Sequence, residues 1–292
     1  MLKKQKLGPG AFLKSRGIKF GKSVRSLDLA FLRTFSEERQ EDVQDLWERL
    51  HMQLATVQEL YALPDTREQM SLLLSHDAPR MVASLGWFES VVAKIEAKSL
   101  IEFGCGSGYL LSYLRHAFPT LDLTGVERQS NLAKLIDPDD NLNVCEGDYR
   151  EIQPNTSVDL VLCDFGWDND EIPQSTKPHS IAEIAGKGYC PGCSDDKIPF
   201  FTSMIGAWKA WANPLASLAI AGRLTNLIDL RAIVLAAEQY DWHLNAEQST
   251  LLKVTNLAGH AEKFPALIFT TNKQEAPAAA IERYLLLGGR EF

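Results

Sequence analysis

The 292 residues contain no apolar run that approaches the roughly 20 needed to span a bilayer. The lysines at the start are not followed by an apolar stretch long enough for a secretory signal. The chain is therefore expected in the cytoplasm, without a membrane partner. Cysteine is scarce and odd in number, scattered at Cys105, Cys145, Cys163, Cys190 and Cys193. That argues against a disulfide framework and suits buried thiols in a reducing compartment. Cys190 and Cys193 have the spacing of a zinc-ligand pair, but no second such pair exists to complete four ligands. His179, His260 or an acid would have to serve, the plainer alternative being two reduced thiols in a surface turn, and no metal is assigned. Acidic residues are missing from the first 26 positions, which hold eight Lys or Arg, although the whole chain carries a net charge of −8. A basic segment on an acidic body can touch nucleic acid or remain a solvated tail.

Hydrophobic residues make up 45% and charged residues 23%, which allows a large core and excludes a mainly disordered chain. Residues 1–35 are interrupted by Gly8, Pro9, Gly10, Gly17 and Gly21 and predict an irregular basic arm. Residues 36–98 predict a helical region. Ser36, followed by Glu37 and Glu38, opens an amphipathic helix whose apolar face runs from Val43 and Leu46 to Leu60 and Tyr61, ending at Pro64. A further helix opens at Asp77, with Pro79 in its first turn, and buries Met81, Leu85, Phe88, Val91 and Val92.

From Ser99 the rhythm changes, and residues 99–292 predict the main domain. Apolar strands at 99–103, 121–127, 142–148 and 158–164 alternate with helices near 107–118 and 129–136. A helix near 200–212, a strand at 217–224, a helix at 226–240, a strand within 243–254 and another at 265–271 follow, then a last helix at 276–287. Strands that are apolar on both faces need helices on both sides. The expected fold is therefore a doubly wound α/β domain, with a mostly parallel seven-stranded sheet closed by an antiparallel hairpin. Residues 168–199 form an insertion that is long for a strand-to-helix connection and predicts a lid.

The most informative segment runs from Glu102 through Gly104, Cys105, Gly106, Ser107 and Gly108, where a strand passes through a glycine-rich turn into a helix. Such a turn lets backbone approach a ligand, and the helix start offers unpaired N–H groups to an anionic group. A dinucleotide fingerprint would need glycine at position 109, which is Tyr109, and Glu102 would repel a pyrophosphate. It would attract an ammonium group.

This segment resembles the first motif of the class I S-adenosylmethionine-dependent methyltransferases, acid-x-Gly-x-Gly-x-Gly, matched at Glu102, Gly104, Gly106 and Gly108. The resemblance continues in order through Glu127, Asp148 and Asp164 at the ends of the next three strands, covering about residues 99–271. It implies a methyltransferase with S-adenosylmethionine as cofactor. Glu102 would hold the methionine amino group directly or through water, and Glu127 both ribose hydroxyls. Asp148 would accept from the adenine amine with Tyr149 beside the ring. Cys105, Arg128 and Asp164, adjoining these positions, complete the implied cofactor-binding set.

Methyl transfer from a sulfonium needs alignment and exclusion of water more than any one catalytic group. Where the acceptor keeps its proton a base is required, and the candidates are Asp164 first, then His179 and His260. Phe165, Gly166, Trp167 and Asp168 stand where enzymes that methylate base amino groups carry two prolines, absent here, which disfavours an exocyclic adenine acceptor. Trp167 would stack on a planar substrate or pack in the core. The helical region and the insertion together suit a pocket for a small molecule. The alternatives are RNA reached through residues 1–26, a protein acceptor, or a cofactor-binding scaffold without turnover.

Overall fold

The computed structural model describes residues 7–166, 172–175, 184, 189–224 and 226–273. Strands β1 (Ser99–Phe103), β2 (Asp122–Glu127), β3 (Asn143–Glu146), β4 (Val158–Asp164) and β5 (Ala212–Ala221) run parallel, in the spatial order β3-β2-β1-β4-β5. Three more, β6 (His243–Leu244), β7 (Thr250–Thr255) and β8 (Ala261–Thr270), close the sheet. β8 lies antiparallel on β5, and both β6 and β7 lie antiparallel on β8. The sheet thus has eight strands where the sequence predicts seven. The single strand expected within 243–254 is divided because Asn245 turns the chain, its side-chain oxygen accepting the Gln248 N–H at 3.2 Å.

Period-two alternation sends neighbouring strand residues to opposite faces, and each face has its own core. Leu100, Leu160, Leu162 and Ala219 pack against α1 (Pro9–Ser15), α6 (Ala78–Ile95) and α7 (Tyr109–Ala117). Ile101, Phe103, Val161, Cys163 and Ile220 pack against the two helices that flank β5, which begin at Pro191 and Leu227. This is the doubly wound arrangement that strands apolar on both faces require.

The N-terminal residues depart from the expected irregular arm. Residues 9–15 form α1 and residues 24–32 form α2 (Val24–Leu32). Both are too short for a periodic pattern to declare itself, and tertiary burial stabilises them. Phe12 and Leu13 are buried against α6 and α7, while Leu27 and Phe31 face inward from α2. Ser23 caps α2, its hydroxyl oxygen accepting the Ser26 N–H. The long helix expected from Ser36 to Pro64 is also two: α3 (Glu37–His51) stops before Gln53, which has φ +59°, and α4 (Val57–Tyr61) restarts with a Thr56/Glu59 capping box. Then α5 (Arg67–Leu74) opens on a second capping box, Thr66 with Gln69, and leads through one 3₁₀ turn into α6.

Past the glycine turn lies the short α8 (Ser130–Lys134), between β2 and β3. The helix expected near 200 begins earlier, as α9 (Pro191–Lys209), so the end of the predicted lid is helical. Pro191 occupies the first turn, where its missing N–H costs nothing. α10 (Leu227–Glu238) covers the sheet beside α9. Trp167, His179 and the last helix predicted at 276–287 lie outside the described residues. No described helix is long and apolar enough to cross a membrane.

Candidate functional site

Parallel strands bring their carboxyl ends to one edge, and at a point where strand order reverses the loops diverge and leave a crevice. Here β1 pairs with β2 on one side and β4 on the other, so the crevice opens above Glu102. Its wall carries Glu102, Gly104, Cys105, Gly106, Glu127, Arg128, Asp148, Tyr149 and Asp164, all expected from sequence. Gly108 is the N-cap of α7 just behind it.

The glycine turn is folded onto β2, with the Gly104 and Cys105 N–H groups both donating to the Val126 carbonyl, at 2.9 and 3.1 Å. Gly104 has φ +69°, and a Cβ there would stand 2.5 Å from the Gly166 carbonyl oxygen, so the turns after β1 and β4 touch backbone to backbone. Gly106 also has positive φ but meets nothing within 4 Å; it presents bare backbone to the crevice. Cys105 packs over Gly125, where a Cβ would come within 2.7 Å of its sulfur, and burial beside Glu102 and Glu127 keeps its thiol protonated.

Glu127 is buried, with Oε2 accepting the Gly106 N–H at 2.7 Å and Oε1 accepting the Gln129 N–H at 2.7 Å. Burial pushes its carboxyl up, although these amides pull the other way. A carboxylate has about four lone-pair positions, so hydrogen-bonding capacity remains for a ligand hydroxyl. Asp148 differs. Arg150 grips it through Nε at 2.9 Å and Nη2 at 2.8 Å, and that side-chain pairing holds the Asp148 carboxyl below the usual carboxylate range. Tyr149 leans on Phe103, ring centres 5.6 Å apart, and lines the crevice.

Glu102 is the anomaly. It is 3% exposed, and its Oε2 has no hydrogen-bond partner. Burial, with Asp164 and Glu127 nearby, raises its pKa well above the ordinary glutamate value. An unpartnered buried carboxyl oxygen is costly, and its position in the crevice wall lets a ligand donor relieve that cost.

Asp164 is held from the far side. Ser84 Oγ donates to its Oδ1, and Arg80 Nη1 stands 3.7 Å from the same oxygen. Burial raises its carboxyl pKa against the pull of Arg80 and Ser84. Phe165 follows with φ +54°, an uncommon conformation for an aromatic residue, which fixes its ring beneath the Arg80 guanidinium at 4.1 Å. Of the other expected bases, His260 sits exposed in the β7–β8 turn, its backbone N–H donating to Asn256 Oδ1, and does not reach the crevice wall. No group of three or more His, Cys, Asp or Glu able to hold a metal occurs among the described residues; Cys190 and Cys193 are buried thiols at the start of α9, joined in no disulfide.

The N-terminal helices supply a wall that motif reading missed: Gln58 and Tyr61 of α4, Met70 and Leu74 of α5, and Arg80 and Met81 of α6. A signal did exist. Asp77, Arg80 and Ser84 recur at helical spacing, a polar stripe inside an otherwise apolar helix face.

No protein-family profile matches the chain and no curated protein matches it in sequence. Similar solved structures include mitomycin 7-O-methyltransferase, at 14% identity over 88% of this chain and 75% of that chain, with a TM-score of 0.46. An O-methyltransferase family protein from Burkholderia thailandensis is 13% identical over 82% of this chain and 71% of that one, with a TM-score of 0.46. Magnesium protoporphyrin IX methyltransferase from Synechocystis, solved with bound S-adenosylmethionine, is 10% identical over 66% and 81%, with a TM-score of 0.42.

Proposed function

We propose that the chain is an S-adenosylmethionine-dependent methyltransferase acting on a small molecule. The observation that carries this reading is the orphaned, buried Oε2 of Glu102 in a crevice lined by bare glycine backbone and by Glu127. An ammonium donor answers the first and a ribose diol the second. The donor set therefore fits this cofactor: Glu102 for the amino group, Glu127 for both ribose hydroxyls, and Tyr149 and Asp148 beside the base. When bound, the cofactor supplies an electrophilic methyl group on a sulfonium.

The chain's own part is to position and to exclude water. Glu127 arrives already oriented by two amides, so little ordering is left to the moment of binding. Helices α4, α5 and α6 wall the crevice with Tyr61, Met70, Leu74 and Met81 and keep solvent from the reacting atoms. Asp164 is the base candidate in the crevice, and burial lifts its affinity for a proton toward what a general base requires. Enclosure by these helices favours a small acceptor over a polymer. Calorimetric titration with S-adenosylhomocysteine should show one site per chain, lost or weakened in Glu102→Gln. Incubation with methyl-labelled cofactor and cell extract should place label in the small-molecule fraction. No heat with the nucleoside would sink the reading.

A further inference from the structure

We propose that the methyl acceptor carries a carboxylate on an apolar body, and that Arg80, with Arg223 at the rim, is its anchor; this rests on the methyltransferase reading above. The side chain of Arg80 is only 9% exposed, yet its Nε and Nη1 have no hydrogen-bond partner. A buried guanidinium with two unpartnered nitrogens is costly, and Arg80 lies in the crevice wall. The two carboxylates nearby do not complete it. Asp77 Oδ2 is 3.4 Å from Nη2, and Asp164 Oδ1, already taken by Ser84, is 3.7 Å from Nη1. Neither forms the paired fork that guanidinium prefers.

Position within the sheet separates this anchor from the cofactor. Glu127 ends β2 and Asp148 follows β3, so the nucleoside belongs over the β1–β3 side. Asp164 ends β4 and Arg223 follows β5, on the other side of β1. There the two guanidiniums share the Phe165 ring, at 4.1 and 5.4 Å from its centre, and both approach Asp77. Two guanidiniums around one ring, with half-buried Asp77 between them and the Nε and Nη1 of Arg80 still without a hydrogen-bond acceptor, leave donors that a ligand carboxylate answers. Met70, Leu74, Met81 and Tyr61 supply an apolar surface beside it for the rest of the ligand.

The test uses benzoate as the probe and neutral benzamide as its control, titrated by calorimetry into full-length protein loaded with S-adenosylhomocysteine. Benzoate should bind and benzamide should not. Arg80→Lys and Arg223→Ala should each weaken benzoate by about fivefold or more, equivalent to about 1 kcal/mol, while S-adenosylhomocysteine affinity stays unchanged. Arg223 is half-exposed, so its replacement keeps the test valid even where Arg80→Lys fails to fold. Equal binding of benzoate and benzamide, no benzoate binding, or an undiminished Arg223→Ala protein would each overturn the proposal. So would a different pattern in which Arg80→Lys weakens S-adenosylhomocysteine but not methylthioadenosine, because the guanidinium would then hold the cofactor's own carboxylate. Absence of S-adenosylhomocysteine binding by the wild type would instead count against the methyltransferase reading, and benzoate titrated into the unloaded protein still reads the anchor.

Discussion

Glu127 ties the turn after β1 to the turn after β2, one carboxylate oxygen on the Gly106 N–H and the other on the Gln129 N–H, each at 2.7 Å. The same oxygens are the proposed acceptors of the ribose hydroxyls. Glu127→Ala should therefore weaken S-adenosylhomocysteine binding by roughly 1–3 kcal/mol, through hydroxyls left unpaired and a turn left untied. Calorimetry on the purified variant checks this, and unchanged affinity would remove Glu127 from the site.

The four strand-end acids were legible because each marks a local event, the exit of a strand into a loop, and parallel strands bring such exits to one edge whatever lies between them. Arg80 was not legible in the same way. Its role depends on α6 crossing to Asp164 and Phe165, more than 80 positions along the chain, and the polar stripe of Asp77, Arg80 and Ser84 marks a buried polar face without recording what it meets. His260 shows the reverse failure. It lies near a strand start, as the expected base should, but β7 and β8 continue past the last β5–β8 pair, Ala221 with Ala266, and carry it to an exposed tip. Helices α1 and α2 escaped notice because seven and nine residues leave too little periodicity to read.

Glu102 should make the ligand-free fold less stable as pH rises. Its carboxyl lies well above the ordinary value of 4.5, because burial disfavours the charge and Asp164 and Glu127 add repulsion. The folded chain thus keeps a proton that the unfolded chain has released. By linkage, this contribution is complete below 4.5 and declines as pH climbs toward the folded-state value. Urea unfolding of wild type and Glu102→Gln between about pH 5 and 8 should show the wild type losing stability relative to the variant. Cofactor affinity should rise over the same interval in the wild type alone. Parallel curves would mean that Glu102 does not titrate there.

Gly104 and Gly106 should respond differently to the same added methyl group. Gly104→Ala forces a positive φ and drives Cβ to 2.5 Å from the Gly166 carbonyl, so the turns after β1 and β4 must separate. A loss of roughly 1–3 kcal/mol of fold stability is expected, with cofactor binding lost as a consequence. Gly106→Ala meets no protein atom within 4 Å, and its cost to the fold should stay near the roughly 1–2 kcal/mol of the backbone conformation alone. Its methyl group projects where the ligand lies, so binding should suffer more than stability. Thermal melts read beside S-adenosylhomocysteine titrations separate the two; equal effects in both assays would refute the assignment of Gly106 to the crevice.

The basic N-terminal segment should behave as part of the core and not as a detachable tail. Phe12 is 2% exposed and meets Tyr113 edge-on at 5.2 Å, while Arg16 spans to Asp137 at 2.7 Å and also reaches Asp140. These contacts join α1 to the sheet-covering α7 and to the loop before β3, so the segment's positive charge is partly spent inside the molecule. Phe12→Ala should cost about 3–5 kcal/mol in denaturant unfolding, the range for emptying a buried aromatic site. Lys19→Ala and Lys22→Ala, at exposed positions nearby, should stay within about 0.5 kcal/mol of wild type. If Phe12→Ala were as mild as the two lysine variants, α1 would not be docked, and nucleic-acid contact through residues 1–26 would regain its place among the readings of this chain.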